Sequence, residues 1–159
     1  MTVTLIIPAL NEEKYLPQTL ASVKALSLQP DEIIVVNAQS EDKTAEIAKK
    51  YGAKIIMVDR RSIGYSRNQG LKAASGDIVA FTDADTILPT NWLSTIESHM
   101  EKNNVVGVFG GFRVPDGPWW YRLYINVFQP FSNTLTYALF KIPFATGQNM
   151  AFYRKNALA

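Results

Sequence analysis

The sequence predicts an α/β fold, a mostly parallel central sheet flanked by helices, and three observations carry that expectation. Over the first 110 residues, short β-branched runs alternate with segments of helical period, the pattern of successive βαβ units. The chain has 159 residues, 47% of them hydrophobic, which is enough for one domain with a buried core. Charged residues make up 19% and the net charge is +2, which excludes intrinsic disorder and a nucleic-acid binder driven by bulk charge.

The elements follow in chain order. Val3 to Ile7 is a β-branched run ended by Pro8; nothing basic precedes it, so it reads as a strand rather than a leader and implies no export. Leu16, Leu20 and Val23 then recur at i, i+4 and i+7, with Pro17 in the first turn where a missing N–H costs little, so a helix is expected. Ile33 to Val36 is the second strand. Ser40, Glu41 and Asp42 supply cap and first-turn residues for a second helix through Ala45, Ile47, Ala48 and Tyr51, stopped by Gly52. Lys54 to Val58 is a third strand, Ser66 to Ala74 a third helix ended by Ser75-Gly76, and Ile78 to Thr82 a fourth strand. Pro89 opens a fourth helix with Trp92, Leu93, Ile96 and Met100 on one face. Val105 to Phe109 is a fifth strand, and another is expected around Phe152 with no segment after it to serve as partner. Residues 1–115 are thus expected to form the α/β core.

Residues 116–159 differ in kind. All 14 carboxylates lie at or before Asp116, so residues 117–159 carry +4 and residues 1–116 carry −2. Nine of the 18 aromatic residues fall between Trp119 and Phe144, and Leu123 to Phe140 contains no charge. Asn126, Gln129, Pro130, Ser132 and Asn133 interrupt that stretch, which argues against a membrane span. Arg122, Asn126 and Gln129 share a helical face opposite Tyr121, Tyr124, Ile125 and Phe128; beyond Pro130 a second helix is expected, lined by Phe131, Leu135, Leu139 and Ile142. Two uses of these amphipathic helices stay open, an interfacial membrane contact and a cover for the open side of the sheet or for a further C-terminal portion.

The chemistry is narrowed by what is missing. There are no cysteines, which excludes disulfide scaffolds and thiol catalysis and fits a reducing, cytoplasmic setting. No glycine-rich dinucleotide or P-loop motif is present. His99 is the only histidine, which excludes triads and histidine metal clusters, and it reads as a solvated helix residue. What remains is Asp83-Ala84-Asp85 directly after a buried-looking strand. Ligands of open α/β sheets bind outside the carboxyl ends of the strands. Two carboxylates separated by a small residue there suit a hard cation, Mg2+ or Mn2+, that bridges to substrate phosphates. Other strand ends supply compatible groups: the loop Pro8-Ala9-Leu10-Asn11-Glu12, Asn37 after the second strand, and Arg67, whose guanidinium suits a diphosphate.

These residues resemble glycosyltransferase family 2, nucleotide-sugar enzymes of the GT-A fold. Ile6-Ile7-Pro8-Ala9-Leu10-Asn11-Glu12-Glu13 is similar to the family's first-strand loop, and Tyr65-Ser66-Arg67-Asn68-Gln69-Gly70 to its Ala-Arg-Asn-x-Gly helix. Ala73 through Asp85 resembles the stretch ending in Asp-x-Asp, and Gly147-Gln148-Asn149-Met150-Ala151-Phe152-Tyr153-Arg154 resembles the Gly-x-Asn-x-Ala-Phe-x-Arg segment beside the acceptor. The resemblance implies a Rossmann-like nucleotide-binding domain in which Asp85 binds Mn2+ or Mg2+ and Asp83 contacts the ribose or the metal through water. Pro8, Ala9, Asn11, Glu12, Asn37, Arg67 and Ala84 then complete the donor site. Gly111-Phe112-Arg113 is more loosely similar to a Gly-x-Arg segment of lipid-phosphate members, so Arg113, Gln148 and Asn149 are acceptor-side candidates. The implied reaction moves a sugar, with inversion, from a UDP- or GDP-linked donor to a carbohydrate or lipid-phosphate acceptor, in the cytoplasm or at the inner face of the membrane.

Two departures qualify the resemblance. Where the family has Asp-Asp-Gly-Ser after the second strand, this chain reads Asn37-Ala38-Gln39-Ser40, so an acidic contact to the base is missing. Inverting members also place a general base after the Gly-x-Asn segment, and no catalytic residue of that kind is identified here. The expectation is that it lies beyond Ala159; the alternative is a non-catalytic module that binds a nucleotide sugar.

Overall fold

The computed structural model describes residues 1–102, 105–141 and 147–158. Six strands, β1 (Val3–Ala9), β2 (Glu32–Asn37), β3 (Lys54–Met57), β4 (Ile78–Phe81), β5 (Gly107–Phe109) and β6 (Met150–Tyr153), form one sheet in the order β3-β2-β1-β4-β6-β5. The pairs β1–β2, β1–β4 and β2–β3 are parallel, while β6 runs antiparallel to both neighbours. The mostly parallel α/β sheet read from the sequence is therefore the observed one.

Alternation along β1 divides the interior in two. Val3, Leu5, Ile7 and Ala9 face α1 (Leu16–Lys24) and α4 (Trp92–Lys102), where Leu16, Leu20, Val23, Leu93 and Met100 are buried against them. Ile6 faces the other way with Ile34, Val36, Val79 and Phe81, under α3 (Ile63–Ala73). A side-chain period of two, buried on both faces, is what a central parallel strand requires. Gly70 lets α3 lie close to the sheet, because a Cβ there would come within 2.5 Å of Ile6 Cγ2. The second helix, α2 (Thr44–Lys50), ends as its sequence indicates: Gly52 takes φ +83° and its N–H donates to Lys49 O.

Three local differences from the sequence reading have physical causes. The third helix begins at Ile63 rather than Ser66, because Ser62 is extended and its hydroxyl accepts from Tyr65 N–H as an N-cap. β6 does not lack a partner: it is inserted between β4 and β5, pairing Ala80 with Ala151 on one edge and Val108 with Ala151 on the other. The two aromatic helices join into one run, α5 (Trp119–Leu123), a π-helical stretch Tyr124–Phe128, and α6 (Gln129–Phe140), with Pro130 at the start of α6 where its missing N–H is tolerated. Ile142 and Phe144 lie outside the described residues. A short helix, α7 (Arg154–Ala157), follows β6.

Candidate functional site

The strand order reverses beside β1: the chain proceeds outward through β2 and β3, then returns to place β4 on the other side of β1. That reversal opens a crevice at the carboxyl ends of β1 and β4. A cleft of about 240 Å³ occupies it, lined by Pro8, Ala9, Leu10, Glu12, Ala38, Arg61, Ser62, Ile63, Ser66, Asp83, Ala84 and Asp85. Six sequence candidates, Pro8, Ala9, Glu12, Asp83, Ala84 and Asp85, meet there.

Others stand behind the wall. Asn11, at φ 56°, donates its N–H to Ser40 Oγ at 2.9 Å and accepts Glu41 N–H on Oδ1 at 2.8 Å, tying the β1 loop to the β2 loop. Glu12 N–H donates to Thr44 Oγ1 at 2.8 Å in the same brace. Asn37 is buried, and its Oδ1 accepts Ser40 N–H at 2.8 Å, so it shapes the loop in place of an acid. Arg67 donates from Nη2 to Asp83 Oδ1 at 2.6 Å, a pair four-fifths to three-quarters buried at 19% and 24% side-chain exposure. Gly147 makes room for that guanidinium, since a Cβ there would lie 2.3 Å from Nη1. Ala84 O accepts the buried Thr19 hydroxyl at 2.7 Å, which fixes the peptide between the two carboxylates.

The acceptor-side candidates lie apart from the cleft lining. Asn149 has both ends of its amide engaged: Oδ1 accepts from Trp92 Nε1 at 2.9 Å and Nδ2 donates to Gly111 O at 2.8 Å. It braces the Gly110-Gly111 segment after β5, which leads to exposed Arg113; Gln148 is half-buried in the turn before β6. His99 is exposed on α4.

Sequence reasoning missed the N-terminal end of α3 and the two residues before it. Arg61, Ser62, Ile63 and Ser66 all line the cleft, and Arg61 pairs with Glu41 across its mouth while donating to Gln39 O. Ser66 was visible as the residue standing where the family helix has alanine; its Oγ is buried with no partner among the described residues.

The cleft is acidic. Burial raises the pKa of Glu12 above its usual value, and the charges of Asp85, Asp42 and Asp83 raise it further. A diphosphate would meet these carboxylates unfavourably unless a cation stood between them. Among the described residues no set of three or more His, Cys, Asp or Glu side chains converges on one metal position. Two carboxylates at one strand end would suit an ion that takes one or two carboxylates and completes its shell with ligand oxygens and water, as Mg2+ does. Asp85 is exposed at the cleft, and Asp83 is half-buried beside it with Oδ1 taken by Arg67.

Known proteins share this fold. The chain is 29% identical over 129 residues to glycosyltransferase GlyA of Streptococcus pneumoniae, covering 76% of this chain and 18% of that protein. Its fold matches TarS of S. aureus in complex with UDP-GlcNAc at TM-score 0.64 and 27% identity, over 74% of this chain and 37% of that one. It also matches glucosyl-3-phosphoglycerate synthase of Mycobacterium tuberculosis in complex with uridine diphosphate at TM-score 0.71 and 25% identity, over 97% of this chain and 57% of that one. The chain thus spans less than two thirds of each of these relatives. The model of glycosyl transferase family 2 matches residues 4–158, and the chain belongs to that family.

Proposed function

We propose that this chain is the donor-binding part of a metal-dependent, inverting glycosyltransferase that moves a sugar from a nucleoside diphosphate sugar to an acceptor. The observation that carries the reading is the meeting of Asp83 and Asp85, at the end of β4, with the Pro8–Glu12 loop of β1 across the crevice. The uridine nucleotides held by TarS and by the phosphoglycerate synthase support UDP over GDP as the carrier.

In this reading Pro8, Ala9 and Ala38 offer small, flat walls to the base, and Asp83, fixed by Arg67, accepts from the ribose hydroxyls. A Mg2+ or Mn2+ ion held by Asp85 would supply charge neutralisation to the departing diphosphate. Transfer is a single displacement. An acceptor oxygen forms a bond to the anomeric carbon as the bond from that carbon to the diphosphate oxygen breaks, which inverts the configuration. A lipid-phosphate acceptor would bring an oxygen that is already ionised, so that its attack needs no general base. In this reading exposed Arg113 would be its counter-charge, and the cytoplasmic face of a membrane is where such an acceptor is met.

Calorimetric titration of UDP, GDP and UDP-glucose in the presence of Mn2+, repeated with chelator, tests the donor site. UDP binding that chelator abolishes, and that Asp85→Ala weakens by about tenfold or more, is the expected result. Binding of no nucleotide, or metal-independent binding equal in Asp85→Ala, would contradict the proposal.

A further inference from the structure

The residues that line the cleft include three carboxylates, Glu12, Asp83 and Asp85, and a single cation, Arg61. Arg67 stands behind the wall with Nη2 given to Asp83, and Arg60 lies over the Tyr65 ring at 5.1 Å. Arg61 alone of these three guanidinium groups borders the cavity. Two neighbours fix where it sits. Ser62, extended at φ −138°, caps α3 through its bond with Tyr65 N–H, which holds Arg61 just ahead of the helix N-terminus. Gln39 takes φ 61°, where the resembled family has glycine, and its carbonyl accepts from Arg61 Nη2 at 3.4 Å. The remaining partner is Glu41, whose carboxylate also accepts from Nη2. Its backbone is held, since Glu41 N–H donates to Asn11 Oδ1 at 2.8 Å, but its side chain is 77% exposed and that of Arg61 is 49% exposed. An ion pair this open is weak and easily exchanged.

We propose that Arg61 binds the diphosphate of the donor, leaving Glu41 to do so, and that Glu41 competes with the donor for this guanidinium. The exchange rests on the nucleotide-sugar reading of the cleft. A guanidinium fork that pairs with a carboxylate pairs equally well with two phosphate oxygens, and the diphosphate carries the larger charge. Among cleft walls that are otherwise acidic, Arg61 supplies the positive charge that comes from the chain itself. The first turn of α3 adds potential of the same sign, because Ser62 and Ile63 line the cleft at the N-terminus of that helix. Glu41 then sets how much of this charge the ligand receives: while it holds Arg61 the mouth is neutralised, and when the donor enters only a side chain has to move, since the Asn11 brace keeps the loop in place.

The test titrates UDP and uridine, with Mn2+ present, into the wild-type chain and into Arg61→Gln, Arg61→Lys and Glu41→Gln. Arg61→Gln should weaken UDP binding by about tenfold and leave uridine binding unchanged, because uridine carries no phosphate. Arg61→Lys keeps the charge without the fork and should recover part of the loss. Glu41→Gln frees the guanidinium and should tighten UDP binding by about two- to threefold. Both positions are exposed, so the melting temperatures of the variants should match that of the wild type. UDP bound equally well by Arg61→Gln, an equal loss for uridine, or weaker UDP binding by Glu41→Gln would each overturn the inference. The donor site would survive any of these, provided that the wild-type chain binds UDP and Asp85→Ala weakens it. Absence of UDP binding by the wild-type chain would overturn both.

Discussion

The two halves of this molecule use apolar residues in opposite ways. In the sheet region, β1 is buried along all seven residues and the apolar stripes of α1 and α4 close over it. In residues 119–140, comparable side chains stay exposed, and among the apolar residues of that helix only Ile125 is buried. Periodicity therefore tells which residues share a face, and only packing tells what that face meets. The first region frames a crevice at the strand ends; the second presents an apolar surface.

The largest expected effect contrasts the two regions directly. Leu20→Ala removes a fully buried side chain and should cost about 2.7–5 kcal/mol, whereas Leu139→Ala, at 65% exposure, should change stability by about 0.5 kcal/mol or less. Urea denaturation of both variants measures this, and equal losses would break the contrast. Next in size is Arg67→Met, which leaves the partly buried Asp83 carboxylate unpaired and should cost about 1–3 kcal/mol in the same assay; UDP affinity should fall with it.

Much of this contrast was legible beforehand, and the illegible parts share a cause. The β-branched runs and the Gly52 stop are local signals, and they landed in the observed elements because local preference and tertiary packing agree there. Asp83 and Asp85 were legible because a strand end followed by two carboxylates points to one end of the sheet. Arg61, Ser62 and Ile63 were not, since their place in the cleft depends on the Ser62 cap and on Arg61 reaching Glu41, both set by how α3 packs. The insertion of β6 between β4 and β5 was equally hidden, because pairing partners some 70 and 40 residues away leave no local trace. The outward turn of Phe131 and Leu139 was hidden for the same reason.

Smaller effects come from titration. Glu32 opens β2, its carboxylate between Thr4 of β1 and Ser75; burial opposes its ionisation, but bonds from Ser75 N–H, Thr4 and Ser75 hydroxyls and Lys54 outweigh it and lower its pKa to about 2. A lowered folded pKa gives stability that is full above the unfolded value of 4.5 and lost as pH falls toward about 2. Glu32→Gln should therefore cost on the order of 1 kcal/mol at pH 7 after solvent screening, with the difference shrinking across that window. Glu12 has the opposite sign: its raised pKa means that ionisation works against the fold above pH 4.5 and has no effect once the group is protonated in both states. Glu12→Gln should raise the melting temperature slightly at pH 7 and leave it unchanged below about pH 4; a lowered value at pH 7 would contradict the acidic picture of the cleft.

Hydrogen exchange with and without UDP and Mg2+ tests most directly the claim that the donor site lies in the crevice of the sheet. Added protection is expected in residues 8–12, 61–67 and 83–85, with residues 119–140 unchanged. Protection confined to the aromatic helix, or absent from the β1 and β4 loops while UDP is bound, would place the nucleotide elsewhere and contradict the account.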